Sequence, residues 1–128
     1  MIRQTRSSSP FEASIGFSRA VRAGDRILVS GTAPVEPDGS STPGDAAAQT
    51  RRVFAIILAA IEELGGSPSD VVRTRMFIAD PADATAIGTV HGEIFGEIRP
   101  ASTMVVARLL RPEWRVEIEA EAIVASPA

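Results

Sequence analysis

The feature that most constrains this chain is a strictly alternating run close to its C-terminus. From Val116 to Ala125 the sequence reads VEIEAEAIVA, in which valine, isoleucine and alanine alternate with glutamates at 117, 119 and 121. Successive side chains of a β-strand point to opposite faces of the sheet. The run therefore predicts a strand with one apolar face and one acidic face.

The rest of the chain predicts four further strands and two helices from apolar periodicity and from turn residues. A turn at Gly24 joins the first two strands as a hairpin. Asp45 is the expected N-cap of the first helix, and Gly65 and Gly66 end it. The predicted elements are an extended segment at 17–21, a strand at 26–31, a helix at 46–64, a strand at 70–80, a helix at 83–98, and strands at 103–110 and 116–125.

This β-β-α-β-α-β-β order predicts an α+β fold in which two helices cover one face of a mixed sheet. Residues 1–128 are expected to form a single domain, and residues 1–15 a loosely held lead-in. The second face of the sheet has no element left to cover it. A half-apolar face on so small a domain predicts burial in an oligomer.

Composition narrows the classes of function. The chain has no cysteine and one histidine, so we expect no disulfide, no thiolate nucleophile, no metal site and no cofactor. Its net charge of −3 is a poor match to a phosphate backbone, so nucleic acid is not an expected partner. The longest apolar stretch, 53–61, is much shorter than the roughly 20 residues of a membrane span. The N-terminus lacks the apolar stretch of a secretory signal, which favours a cytoplasmic protein.

Five short motifs occur in order between Ile15 and Ala125, and together they resemble the RidA (YjgF/L-PSP) family. They are Val29-Ser30-Gly31, Ala48-Gln49, Asp70-Val71-Val72, Arg99-Pro100-Ala101 and Val116-Glu117-Ile118-Glu119-Ala120. The resemblance implies a fold similar to chorismate mutase and a homotrimer with ligand clefts between subunits. It also implies hydrolysis of an enamine or imine, such as 2-aminoacrylate, to a 2-keto acid and ammonia.

The resemblance assigns candidate site residues one by one. Glu117 matches the family's functional glutamate, which handles the attacking water, and Ser30 and Gly31 match ligand-contacting positions. Four other positions depart from the pattern of the deaminating members. Phe17 lies near the position of a tyrosine, Gly88 replaces an asparagine, Met104 replaces a frequent cysteine, and Ser102 replaces the arginine that clamps the substrate carboxylate.

The loss of that arginine leaves several alternatives open. Arg75 or Arg99 is a candidate for the missing cation, although edge-strand arginines such as Arg75 usually serve solvation. Glu117 could instead belong to a solvated acidic face, and His91 is more typical of a half-buried polar filler than of a general base. Three functions follow: an imine or enamine hydrolase, a non-catalytic trimer that binds or senses a small metabolite, and, least supported, an endoribonuclease or translation inhibitor.

Overall fold

The computed structural model describes residues 2–5 and 11–125 and contains six strands and two helices of more than one turn in these ranges. The short elements are a π-helix at Glu12–Gly16 and 3-10 turns at Pro68–Asp70 and Pro81–Asp83. The strands are β1 (Ile2–Thr5), β2 (Ala20–Ala23), β3 (Arg26–Thr32), β4 (Val71–Ile78), β5 (Ala101–Val106) and β6 (Val116–Ile123), and the helices are α1 (Ala46–Glu63) and α2 (Ala84–Phe95).

The strands form one mixed sheet in the order β1-β2-β3-β6-β4-β5. Only the β4–β5 pair is parallel among these neighbours, because α2 carries the chain back across the sheet between them. Both helices contribute buried residues to one core with the sheet. The predicted α+β architecture, with two helices on one face of a mixed sheet, is confirmed.

Local sequence explains the first helix and the last strand. The Asp45 carboxylate accepts a hydrogen bond from the Ala48 N–H at 2.9 Å, which caps α1. Gly65 follows the helix at φ +90°, a conformation that favours glycine. The apolar positions of β6 are all buried, as the alternation predicts: Val116, Ile118, Ala120 and Ala122.

The structure corrects several predicted boundaries. Ile2–Thr5, within the expected lead-in, pairs antiparallel with β2, whereas residues 6–10 of that lead-in lie outside the described residues. The segment at 17–21 becomes a strand only from Ala20. Helix α2 ends at Phe95 rather than at 98, and the turn that follows it ends at Arg99, which adopts φ +55°. Strand β5 spans Ala101–Val106 rather than 103–110 and follows the parallel register of β4.

The second face of the sheet carries charged side chains and partly exposed apolar side chains. Arg75 forms an ion pair with Glu119 at 2.8 Å, and Arg26 with Glu121 at 3.4 Å. Leu28 on the neighbouring β3 is 43% exposed. Among the described residues, no helix has the length and apolar character needed to cross a membrane.

Candidate functional site

A cavity of about 440 Å³ lies between α1, the end of β3 and the segment that leads into β6. Most of its walls are apolar side chains. They come from the N-terminal segment (Phe11, Ile15, Phe17), from α1 (Ala55, Ile56, Ala59, Ala60) and from the 107–115 loop (Leu110, Trp114). The charged lining residues are Arg19, Arg52, Glu63, Arg111 and Glu117. The cavity is thus an apolar pocket with a few polar groups, which is typical of small-molecule sites.

Glu117 enters this cavity from the start of β6. It lies beside Gly31: a Cβ on that glycine would be 3.2 Å from the Glu117 Oε2 atom. The β3–β6 register shifts between Val29 and Thr32, so β3 has an additional residue opposite this part of β6. Such irregularities redirect side chains at functional sites. Burial raises the pKa of Glu117, and the charge of Arg19 opposes this effect.

The three glutamates of β6 occupy different environments although they share one face. Glu119 and Glu121 are ion-paired with Arg75, at 2.8 and 3.6 Å, and neither lines the cavity. Glu117 is the one of the three that does. Arg75 belongs to this ion-paired group on the second face of the sheet and lies outside the cavity.

Arg19 is a cavity residue that the sequence analysis missed. It is 5% exposed, and its Nη2 donates a hydrogen bond to the Gly31 carbonyl at 2.7 Å. Its guanidinium carbon lies 5.4 Å from the centre of the Phe17 ring. The Nε–H has no hydrogen-bond partner among the described residues. Burial lowers the pKa of Arg19, whereas the charges of Glu12 and Glu117 raise it.

Ser30 supports this group without lining the cavity. Its hydroxyl donates to the Ser18 carbonyl at 2.7 Å, and its N–H bonds to the Arg19 carbonyl at 3.0 Å. These two bonds attach the segment that carries Phe17 and Arg19 to the end of β3. The structure therefore brings together Phe17, Ser30, Gly31 and Glu117 of the predicted site, and adds Arg19.

The other predicted site residues form a second group along the chain, on α2, on β5 and in the segment between them. The Thr74 hydroxyl donates to Ser102 Oγ and lies 2.8 Å from His91 Nε2. Met104 packs against the core, and Gly88 has open space at the position of a Cβ. Arg99 is exposed, and its Nε donates to the Gly96 carbonyl.

His91 matches the expectation of a half-buried polar filler. Its ring lies 4.8 Å from that of Phe95 and 5.8 Å from that of Phe54, and burial lowers its pKa. Among the described residues, no group of three or more histidine, aspartate or glutamate side chains is arranged to hold a metal ion.

The two groups are separate within one subunit. Glu117 lies on β6, two positions from β5 in the sheet, which corresponds to roughly 10 Å at about 4.8 Å per strand. Ser102 and Met104 are in register with Thr74 and Met76, on the face of the sheet opposite to Glu117. A small ligand at Glu117 therefore does not reach Ser102 or Met104 of the same chain.

The fold and the cavity define a small α+β protein with a ligand-sized site at the end of β3. The family model described as Endoribonuclease L-PSP matches residues 7–124. The chain therefore belongs to this family, the RidA/YjgF/L-PSP family, as its motifs indicate.

Three relatives illustrate this membership. The protein SCO2049 of Streptomyces coelicolor is 38% identical over 122 residues, which cover 94% of this chain and 91% of that protein. The 3-aminoacrylate deaminase RutC of Acinetobacter baylyi is 39% identical over 100 residues, or 77% of this chain and 79% of RutC. The crystal structure of Rv2704, a YjgF/YER057c/UK114 family member from Mycobacterium tuberculosis, aligns with a TM-score of 0.87 at 41% identity. That alignment covers 97% of this chain and 100% of Rv2704.

Proposed function

We propose that the protein binds a small metabolite in clefts between the subunits of a homotrimer and hydrolyses an imine or enamine there. The products are a carbonyl compound and ammonia. The observation that carries the proposal is the Glu117 carboxyl group, half-buried in an apolar cavity beside the buried cation Arg19. The relative RutC, by its name, deaminates 3-aminoacrylate, a compound that contains an enamine.

The chemistry requires a group that first accepts and then returns a proton. Water adds to the carbon of the C=N bond, the resulting carbinolamine loses its nitrogen as ammonia, and the carbon keeps the oxygen as a carbonyl. A carboxylate beside that carbon removes a proton from the water and returns it to the leaving nitrogen. Burial suits Glu117 to this role because a raised pKa brings the carboxyl group closer to the operating pH.

The trimer is part of the proposal because the cavity of one subunit lacks the second group of predicted residues. Strand β5 is an unpaired edge of the sheet, and its Val105 and Val106 are 43% and 57% exposed. Leu28 adds apolar surface on the open sheet face. In a ring of three subunits, a neighbour that covers these residues would receive this β5 edge, with Ser102 and Met104, at its own Glu117 cavity, and the third subunit would supply its β5 edge to this chain.

A non-catalytic function is the second candidate, and the residue at position 102 favours it. Ser102 cannot form the two-pronged bond of an arginine to a carboxylate, so the activity toward 2-aminoacrylate should be weak. In that case the same cleft binds or senses its metabolite without turnover.

Turnover of imines distinguishes the two candidates. An amino-acid oxidase generates 2-imino acids in situ, and their decay is followed with wild type, Glu117→Gln and Glu121→Gln. A hydrolase should accelerate decay, Glu117→Gln should lose about 100-fold or more of that acceleration, and the matched Glu121→Gln control should lose none. No acceleration with any imine, together with retained binding of a 2-keto acid, would establish the non-catalytic alternative. A salt-dependent affinity for RNA would instead support the activity in the family's name.

A further inference from the structure

We propose that Arg19 is a positioning residue of the proposed site. It acts through Gly31 and Glu117 rather than on the ligand: it holds the end of β3 beside Glu117 and places a fixed positive charge near that carboxyl group. The inference rests on the proposed function, because it explains how Glu117 stays available as a proton acceptor in an apolar cavity.

Both the backbone and the side chain of Arg19 are held in place. Its N–H donates to the Thr5 carbonyl at 2.8 Å, and its carbonyl accepts from the Ser30 N–H at 3.0 Å. The side chain is 5% exposed, and its Nη2 donates to the Gly31 carbonyl at 2.7 Å. The guanidinium group therefore has a fixed position relative to β3, as the supporting residue of a preorganised site must have.

Gly31 connects Arg19 to Glu117. Its carbonyl accepts the hydrogen bond from the arginine, and a Cβ added to this glycine would lie 3.2 Å from Glu117 Oε2. The carboxyl group is thus packed against the residue that Arg19 holds. Because a shift of Gly31 would move this wall of the cavity, the hydrogen bond from Arg19 fixes the surroundings of Glu117.

The charge of Arg19 counters the effect of burial on Glu117. Burial raises the pKa of Glu117, the charge of Arg19 lowers it, and the charge of Glu119 raises it. An apolar cavity favours the protonated form of a carboxyl group, whereas a nearby positive charge favours the ionised form. A proton acceptor has to be ionised. Arg19 therefore extends the range in which Glu117 can accept a proton to lower pH.

Other charged groups line the same cavity or act on this pair, and most of them have partners of their own. They are Glu119 on β6, Arg52 and Glu63 on α1, Arg111 in the 107–115 loop, and Glu12 in the N-terminal segment. Their partners are Arg75 for Glu119, Glu36 for Arg52, the Thr5 hydroxyl for Glu63, and the Phe11 and Trp114 rings for Arg111. Glu12 is 5% exposed, and its charge opposes the lowering of the Arg19 pKa by burial, so the arginine stays charged. On β4, the residue opposite Glu117 is the uncharged Phe77.

The first test measures the pKa of Glu117 directly and needs no turnover. Carbon-13 NMR follows the carboxyl groups of the glutamates from pH 4 to 8, and Glu117→Gln identifies the Glu117 signal. Arg19→Gln can still donate a hydrogen bond to Gly31 but carries no charge, so it should raise the pKa of Glu117. Arg19→Lys keeps the charge and should leave the pKa closer to that of wild type. The matched control is Arg51→Gln, an exposed α1 arginine paired with Glu93 outside the cavity, which should leave it unchanged.

The second test measures the pH dependence of imine turnover. With wild type the rate should fall as pH falls through the pKa of Glu117, because the protonated carboxyl group no longer accepts a proton. In Arg19→Gln this fall should occur at higher pH, and in Arg19→Lys closer to the wild-type range. A residue with a purely structural role would lower the rate at every pH without moving this profile.

The outcomes separate this inference from the proposed function. An unchanged Glu117 pKa in Arg19→Gln would overturn the inference even if wild type hydrolyses imines. A raised pKa without turnover of any imine by wild type would leave the Arg19–Glu117 pair intact and overturn the proposed function.

A double variant decides the case in which Arg19→Gln does not fold. Arg19→Gln/Glu117→Gln should then fold at pH 8, because the buried carboxylate that had lost its counter-charge is gone. Circular dichroism measures this recovery. A double variant that remains unfolded at pH 8 would overturn the inference, since the loss would not come from the charge of Glu117.

Discussion

Gln49 should be among the most sensitive positions of the fold, although it contacts no predicted ligand group. Its side chain is 3% exposed, and its Nε2 donates to the carbonyls of Thr42 and Glu113 at 3.2 and 3.0 Å. Its Oε1 accepts from the Arg115 N–H at 2.8 Å. One side chain thus connects the first turn of α1 to the loop before it and to the segment that carries Trp114 into the cavity.

The substitution Gln49→Met keeps the volume of the side chain and removes all three bonds. It leaves two carbonyls and one N–H of the backbone without partners, each at a cost of about 1–3 kcal/mol when buried. Some of these groups regain hydrogen bonds to water, so the cost of each falls in the lower part of that range. For the three groups together we expect a loss of about 3–6 kcal/mol in the free energy of unfolding. For a chain of this size the melting temperature should fall by roughly 10–20 °C.

Urea unfolding followed by circular dichroism measures this loss. The matched control is Thr50→Val at the next position, where the buried hydroxyl bonds only to the Ala46 carbonyl of its own helix. That change should cost about 1 kcal/mol. A loss for Gln49→Met no larger than that of Thr50→Val would refute the view that this side chain holds the cavity wall in place.

Three further predictions concern the assembly and the site. Light scattering should give about three times the 13.5 kDa of one chain, and a stable monomer at micromolar concentration would contradict the interfacial cleft. Burial raises the pKa of Glu117 in the folded state above its value in the unfolded state. The folded state therefore binds more protons at pH values between the two pKa values, and the contribution of Glu117 to stability falls as pH rises through this range. Melting curves from pH 4 to 8 should therefore show Glu117→Gln gaining stability relative to wild type as pH rises, and a constant difference would contradict the burial effect. Ser102→Arg should raise 2-aminoacrylate turnover by about 10–150-fold, the gain expected from a charge-assisted bond; an unchanged rate would show that position 102 does not face the substrate.

Sequence patterning predicted the elements whose residues repeat with a clear period. The alternation of β6 and the apolar stripe of α1 are strong signals because many buried residues share them. Strand β1 was missed because its four residues, IRQT, are largely polar and pair at the sheet edge. Motif order supplied the family, and through it Glu117 and Gly31.

The candidate site was only partly predictable because its decisive features are local and non-periodic. Alternation indicates which face of a strand a residue occupies, but not what surrounds its side chain. It therefore could not distinguish Glu117 from the ion-paired Glu119 and Glu121. Arg19 carries no spacing signal, since a cation near the start of a strand is ordinarily exposed. Its burial is accompanied by a hydrogen bond to the Gly31 carbonyl, a contact between residues 12 positions apart that depends on the folded chain.

The decisive experiment is a crystal structure of the protein with a bound 2-keto acid, the product class of the proposed hydrolysis. We expect the acid inside the cavity, with its 2-oxo carbon facing Glu117 and the β5 edge of a neighbouring subunit closing the cleft. A cavity filled by side chains of the neighbour, or an acid bound elsewhere on the trimer, would contradict it.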